Sequence, residues 1–422
     1  MARWSKDKLV NLTTKIGSGA TPKGGKAAYK VEGISLIRSM NVHDNYFKPK
    51  DLAFIDEQQA DKLSNVVVEK LDVLLNITGA SVARCSVVNE SYLPARVNQH
   101  VAILRPKSEV IDSHFLSYLL VSHEYKKKLL HSGNKAGSTR EALTKSQLQN
   151  FEIEFPELPE QKRIVAILDQ AFAEIEQARA LAEKNLNNAR ELFESYLQQV
   201  FSQRGEGWVE ADIESLVSNG ILDKPLDGNH GDIHPKKADF VEKGVPFIMA
   251  SDLVDGTVDT GGCNFITRQQ ADTLRKGFAK DGDVLISHKA TIGRTAILKT
   301  DLDYVMLTPQ VTYYRILDGS SLAAEYLYWY FNSPVFLKEM RIVAGVGSTR
   351  SYIGITKQRQ LQISFPDIDI QRKISQKLCS LDKEIKRIVP VYERKLAALD
   401  ELKKSILQQA FTGQLTTSKE VA

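Results

Sequence analysis

Several short runs could do chemistry. Gly19-Ala-Thr-Pro-Lys-Gly-Gly-Lys26 resembles a phosphate loop. The G-x-x-x-x-G-K-[ST] pattern needs Gly where Ala20 stands and Ser or Thr where Ala27 stands, so the match fails. No G-x-G-x-x-G opens a helix, and no Asn-Pro-Pro-aromatic motif of amino-methyltransferases occurs. His230 and His234 lie four apart in a Gly/Asp/Pro-rich stretch, where a polar loop is expected rather than a zinc site. Asp281, Asp283 and Lys289 loosely suggest a metal nuclease, but no acidic residue sits two before the lysine. The three cysteines, Cys85, Cys263 and Cys379, are far apart, which excludes a disulfide framework. We therefore expect no catalytic residue, no metal and no cofactor bound by this chain.

Binding chemistry is better supplied. Lys23, Lys26, Arg38, Arg84, Lys236, Lys237, Lys289 and Arg294 fall in predicted loops or strand ends, where they can neutralise phosphates. Arg can also grip guanine with two hydrogen bonds. Asn41, Asn98, Gln99, His288 and Gln310 could read base edges, Asn and Gln best matching adenine. Gly137-Ser138-Thr139-Arg140 returns as Gly347-Ser348-Thr349-Arg350. In both, Gly provides the turn, while the hydroxyls and Arg140 or Arg350 can meet phosphate. A purely structural turn is the alternative for each.

These residues hang on a duplicated frame. Residues 151–203 align without a gap to 361–413, at an offset of 210, with 17 identities in 53 positions. Shared residues include Phe155-Pro156 with Phe365-Pro366, Gln161 with Gln371, and Leu197-Gln198-Gln199 with Leu407-Gln408-Gln409. The preceding segments repeat more faintly. Asp72-Val-Leu-Leu75 returns as Asp283-Val-Leu-Ile286, and Arg84 and Arg105 return as Arg294 and Arg315. A kept frame with different contents suggests two readers of different targets.

After Phe-Pro both blocks turn helical in period. Ile164, Leu168, Ala171, Ile175, Ala178, Ala182, Leu186, Ala189, Phe193, Tyr196 and Val200 form a coiled-coil seam with a stutter. Ile385, Tyr392 and Leu396 lie on the matching second seam, which Lys403 interrupts. The first seam is rich in alanine and the second in large residues, so we expect an antiparallel pair, Ala178 meeting Leu396, Ala182 meeting Tyr392 and Ala189 meeting Ile385. Pro390 should kink the second helix. A helix of ~44 residues is roughly 65 Å long and would act as a spacer.

Before each helix the pattern is mixed α+β. Strands are expected at 34–37, 72–78, 87–88 and 101–104, then one helix from 112 or 113 to about 130. The second copy repeats this at 245–249, 283–287, 296–298 and 311–316, with one helix from 321 to about 340. Hence five segments: a recognition module at 1–150, a spacer helix at 151–204, a second module at 205–360, a second spacer at 361–413, and a tail at 414–422.

Charge agrees in part. Lys plus Arg is 56 and Asp plus Glu is 52. The first module carries net +8, suiting a polyanion, while residues 205–360 carry net −3. Any nucleic-acid site in the second module must be a local patch. Hydrophobic residues at 42% and charged residues at 26% fit a soluble protein, and no export signal or long apolar run is visible. Cytoplasmic residence is the expectation.

The order of variable module, G-S-T-R, L-T-K-S-Q-L-Q-N-F-E-I-E-F-P-E-L-P-E-Q-K-R-I-V-A-I-L-D and a long helix resembles the specificity subunit of Type I restriction-modification systems. The second copy, G-S-T-R-S-Y-I-G-I-T-K-Q-R-Q-L-Q-I-S-F-P-D-I-D-I-Q-R-K-I, repeats it, and L-Q-Q-A-F-T-G-Q-L resembles the end of the family's second helix. The resemblance implies two target-recognition domains, each reading one half of a split, asymmetric DNA site. It implies antiparallel helices that set the gap and dock methyltransferase subunits, two being expected. S-adenosylmethionine would then act on those partners, and ATP with Mg on a separate restriction motor subunit. The chain itself would be non-catalytic. Rival expectations are a coiled-coil scaffold that binds only proteins, and a stand-alone nuclease.

Overall fold

The computed structural model describes residues 4–22, 24–133, 142–203, 205–289, 291–345 and 352–412. The chain divides into two compact units, residues 1–183 with 394–422, and residues 184–393. The first unit therefore joins segments that are distant in sequence, whereas the second is one continuous stretch.

In the first unit, strands Thr13–Ser18, Val101–Pro106, Val73–Asn76 and Cys85–Val87 form one antiparallel sheet in that order. A second sheet orders Ala53–Ile55, Ile34–Ile37, Ala95–Val97 and Val67–Val68, with the middle pair parallel. Val73-Leu74-Leu75 is a continuous apolar run because both of its faces are covered. Alternation sends Val73 and Leu75 to a core shared with helices, and Leu74 to the core under the second sheet. The second unit repeats this order. Leu226–Asp227, Val311–Tyr314, Val284–Ser287 and Thr295–Ile297 form one sheet, and Asn264–Ile266, Val245–Ile248, Val305–Leu307 and Phe278–Ala279 the other. Val284 and Ile286 face one core and Leu285 the other.

Where one helix was expected after each set of strands, two are found. Ser113–Val121 and His123–Gly133 break at Ser122, and Ala324–Asn332 and Pro334–Ala344 break at Ser333. Both serines are buried, with ψ near 145°, and both hydroxyls donate to the carbonyl three residues back at 2.6 Å. That local bond competes with helix continuation, and in the second unit Pro334 opens the new helix. A two-stranded pairing was also missed in each copy: Ser5–Lys8 pairs with Glu152–Phe155, and Val209–Asp212 with Gln362–Phe365.

The long helices are Leu158–Ser202 and Ile368–Phe411, and the second continues through Pro390. The unit boundary falls inside both. Within the first unit Glu176 pairs with Lys403 at 2.7 Å and Arg179 with Asp400, so the segments run antiparallel. Lys403, the break in the seam, also sits 5.1 Å from the centre of the Phe172 ring, an arrangement that partners its charge. Within the second unit Arg190 pairs with Glu393 at 2.9 Å, and Leu197, Phe201 and Leu378 share one core. Of the seam residues, Ile164, Leu168, Ile175 and Ala182 are buried, and Ala178, Ala189, Phe193, Ile385, Tyr392 and Leu396 are half-buried. No helix of the described residues is long and apolar enough to cross a membrane.

Candidate nucleic-acid interface

The two units match bond for bond where strands end. Gly19 donates its N–H to the Asn98 carbonyl, and Gly228 to that of Thr308. Asn98 donates to Ile37, and Thr308 to Ile248. Ile77 donates to His100, and His288 to Gln310, both at 2.9 Å. Leu143 donates to Ile77, and Ile353 to His288. The glycines are required here. A Cβ on Gly19 would lie 1.6 Å from the Val97 carbonyl oxygen, and one on Gly228 would lie 1.9 Å from that of Leu307.

Two further duplicated devices hold this frame. Asp72 is fully buried and receives the Arg105 guanidinium through two bonds of 2.8 and 2.9 Å. Asp283 receives Arg315 in the same fork at 2.9 and 2.8 Å. Burial pushes the Asp283 carboxyl up, against the pull of Arg315. Gln161, also fully buried, accepts from the Asp112 N–H at 2.8 Å and donates to the carbonyls of Val110 and Pro156 at 3.0 and 2.8 Å. Gln371 does the same with Ala323, Ser321 and Pro366, at 3.0, 2.9 and 2.8 Å. The repeated Pro-x4-Gln is thus a clamp between the start of each long helix and the loop before Ser113–Val121 or Ala324–Asn332.

The predicted contact residues fall into three groups. Lys23, Ser138, Thr139, Arg140, Ser348, Thr349 and Arg350 lie outside the described residues. Lys26 lies in the short turn 25–28.

A second group is consumed by the fold. Asn41 is fully buried; it accepts from the Arg38 N–H and donates to the carbonyls of Lys48 and Lys50, so in this conformation it offers no free polar edge. Asn98 is buried and accepts from the His100 N–H at 3.1 Å. His288 is fully buried. Its Nε2 lies 3.0 Å from the Pro309 carbonyl, and its Nδ1 faces Gln358 and Thr312. Burial lowers its pKa to about 4, so the ring is neutral and serves as a tie. Residue type alone could not separate such tying roles from base reading, because both need the same amide and imidazole groups.

The third group is accessible. Gln99, Lys236, Lys237, Lys289 and Arg294 are exposed, and Arg38, Arg84 and Gln310 half-buried. Arg38 lies 5.4 Å from the centre of the Tyr29 ring and donates to the Asp51 carbonyl. Arg294 donates to the Ala250 carbonyl at 3.3 Å. Lys289 and Gln310 are brought together, lining a cleft of roughly 250 Å³ with His230, His234 and Met249. In the first unit Gln99 meets Thr21 and His100, and His100 meets Thr78. Sequence reasoning missed Thr21, Thr78 and His100, and placed His230 in a polar loop without offering it as a contact; their signal was position, just beyond glycines and strands.

Comparison with known proteins follows the same duplication. The pattern of the Type I restriction modification DNA specificity domain matches residues 4–183 and again 225–389. The specificity subunit of the Type I restriction enzyme EcoKI of Escherichia coli strain K12 is 22% identical, over 96% of this chain and 88% of its own length. That of MjaVIII from Methanocaldococcus jannaschii is also 22% identical, over 84% and 82%. Among solved structures, a chain from a study of complex assembly and conformational transition of the type I R-M system aligns with a TM-score of 0.71 at 19% identity, covering 98% of this chain and 99% of that one. The HsdS subunit from Thermoanaerobacter tengcongensis aligns with a TM-score of 0.62 at 19% identity, covering 97% of each. These neighbours share the fold: paired mixed α/β modules with long antiparallel helices. With the domain pattern spanning most of its length in two matches, the chain belongs to the Type I restriction modification DNA specificity family.

Proposed function

We propose that the chain is the sequence-reading, non-catalytic subunit of a Type I restriction-modification complex, acting on duplex DNA in the cytoplasm. Each unit reads one half of a two-part asymmetric site. The long helices set the interval between halves and dock methyltransferase subunits, two per chain. S-adenosylmethionine acts on those partners, and ATP with Mg on a restriction motor where one joins.

The observation that carries this reading is the matched frame. The same backbone bonds, the same Asp–Arg fork and the same Gln clamp recur, while the accessible side chains between them differ. A frame kept with contents changed suits two readers of unlike sequences. The test is a footprint on duplex DNA with the methyltransferase partner present, repeated at rising salt. Two protected segments flanking an unprotected interval are expected, with affinity falling steeply as added salt reduces the entropy gained by counterion release. Binding to the partner with no footprint would leave a protein-only scaffold and sink the reading.

A further inference from the structure

Three pairs of side chains occupy equivalent places on the duplicated frame. Thr21 and His230 stand two residues beyond the close-approach glycines Gly19 and Gly228. Thr78 and Lys289 each follow the residue that receives the bond from Leu143 or Ile353, and each bridges the strand-like residue there, Ala142 or Tyr352. His100 and Gln310 carry the carbonyls that accept from Ile77 and His288. The backbone at these places is pinned by the same bonds in both units, and a glycine that tolerates no side chain lies beside it. The side chain at each place differs between copies: Thr21 against His230, Thr78 against Lys289, His100 against Gln310.

We propose that these three matched pairs are the specificity-determining positions of the two units. The assignment rests on the DNA-reading function above and deepens it by naming which side chains meet base edges. All six are at least partly accessible, His230 while its Nε2 meets the Asp227 carboxylate at 2.7 Å, whereas Asn41, Asn98 and His288 nearby are buried. In the first unit the set is prearranged as a row of polar groups: Thr78 meets His100 Nδ1, and Gln99 bridges His100 and Thr21. In the second, Lys289, Gln310 and His230 line one cleft instead. Lys289 suits guanine O6 and N7 and Gln310 suits adenine N6 and N7, where the first unit has the hydroxyl of Thr78 and the imidazole of His100 at the matched places. The two units thus present unlike codes from a like backbone. The frame fixes the backbone beneath these side chains, so little main-chain ordering is left to oppose binding.

The experiment uses the full chain co-produced with its methyltransferase partner. The recognised site is read twice, by methylome sequencing and by selection from a random duplex library. Lys289→Ala with Gln310→Ala is expected to change the preferred base at one or more positions of one half-site, by roughly 5- to 150-fold per lost contact, leaving the other half intact. Thr78→Ala with His100→Ala is expected to do the reverse. If the alanine variants express poorly, Lys289→Thr with Gln310→His installs the first unit's residues on the second and is expected to shift the same half-site. An unchanged two-part site, or a uniform loss of affinity with no change of preferred base, overturns the assignment while leaving the bipartite function standing. A wild-type complex that selects no two-part site overturns the function and the assignment together.

Discussion

Gln161 and Gln371 each close three bonds in a place water does not reach. Replacing either by Leu keeps the volume roughly but orphans one N–H and leaves two carbonyls short of a donor. At ~1–3 kcal/mol for an orphaned buried group, the loss should reach about 3 kcal/mol in the affected unit. Hydrogen exchange at the Asp112 amide should quicken in Gln161→Leu and stay unchanged in Gln371→Leu; equal exchange in both variants would refute the clamp. His288 supplies a pH dependence of known sign. Its pKa in the fold is about 4, below the ordinary 6.5, and burial is the main cause. Above pH 6.5 both folded and unfolded rings are neutral. Between about 6.5 and 4 the unfolded chain binds the proton and the folded one resists it, so stability falls as pH falls. The full loss, complete below about pH 4, approaches about 3 kcal/mol. His288→Gln should flatten this slope for the second unit, as read from exchange at the Ile353 amide at several pH values.

At the scale of elements, the central strands and the long helices were legible in the sequence, because period and burial coincide there. Ile34–Ile37 and Val284–Ser287 lie within a residue of expectation, and every seam position falls on the less exposed side of its helix. The breaks at Ser122 and Ser333 were hidden because apolar spacing runs on across them; only the buried hydroxyl bonds show the stop. Edge strands such as Ser5–Lys8 were missed because a polar strand pairing on a surface carries no hydrophobic alternation. The accessible polar positions were only half legible, since whether Asn98 or Gln99 faces outward depends on a bend that one residue of slip reverses. A hairpin in the second unit shows how elements are fitted together. Gly256 has φ of +83°, and a Cβ there would lie 2.4 Å from the Tyr328 hydroxyl. In the first unit the equivalent turn has Asn45 at φ of +60°, and Ser117 donates to its side chain at 2.9 Å. Gly256→Asn should therefore destabilise the second unit by both strain and clash, and Tyr328→Ser should recover much of the loss by copying the first unit's pair. Thermal melting of the two single variants and the double would show this coupling as non-additivity; simple additivity would rule it out.

For the whole molecule, the composition of the units matters more than their order in the chain. The first unit's core includes Ile164, Leu168, Phe172 and Ile175 from the first long helix, and it is completed by Ala410 with Leu399, Ile406, Leu407 and Phe411 from the second. Phe411 packs edge-on against Phe115 at 5.5 Å. The N-terminal unit thus depends on the last described helical turns, although nearly 300 residues of chain separate Phe115 from Phe411. Residues 394–422 belong to the first unit, and the second unit is residues 184–393. Removing those residues exposes five apolar side chains' worth of contact in the first unit, at ~1.5–3 kcal/mol for each fully buried large one and less for those only partly covered. Several kcal/mol is comparable to the whole stability of a domain. The truncated chain should therefore lose exchange protection in strands Val73–Asn76 and Val101–Pro106 while Val284–Ser287 and Val311–Tyr314 stay protected. Under the proposed function, it should also lose discrimination in the half-site read by the N-terminal unit. A truncation that weakened only the second unit, the one nearer the cut in sequence, would contradict this allocation of the helices.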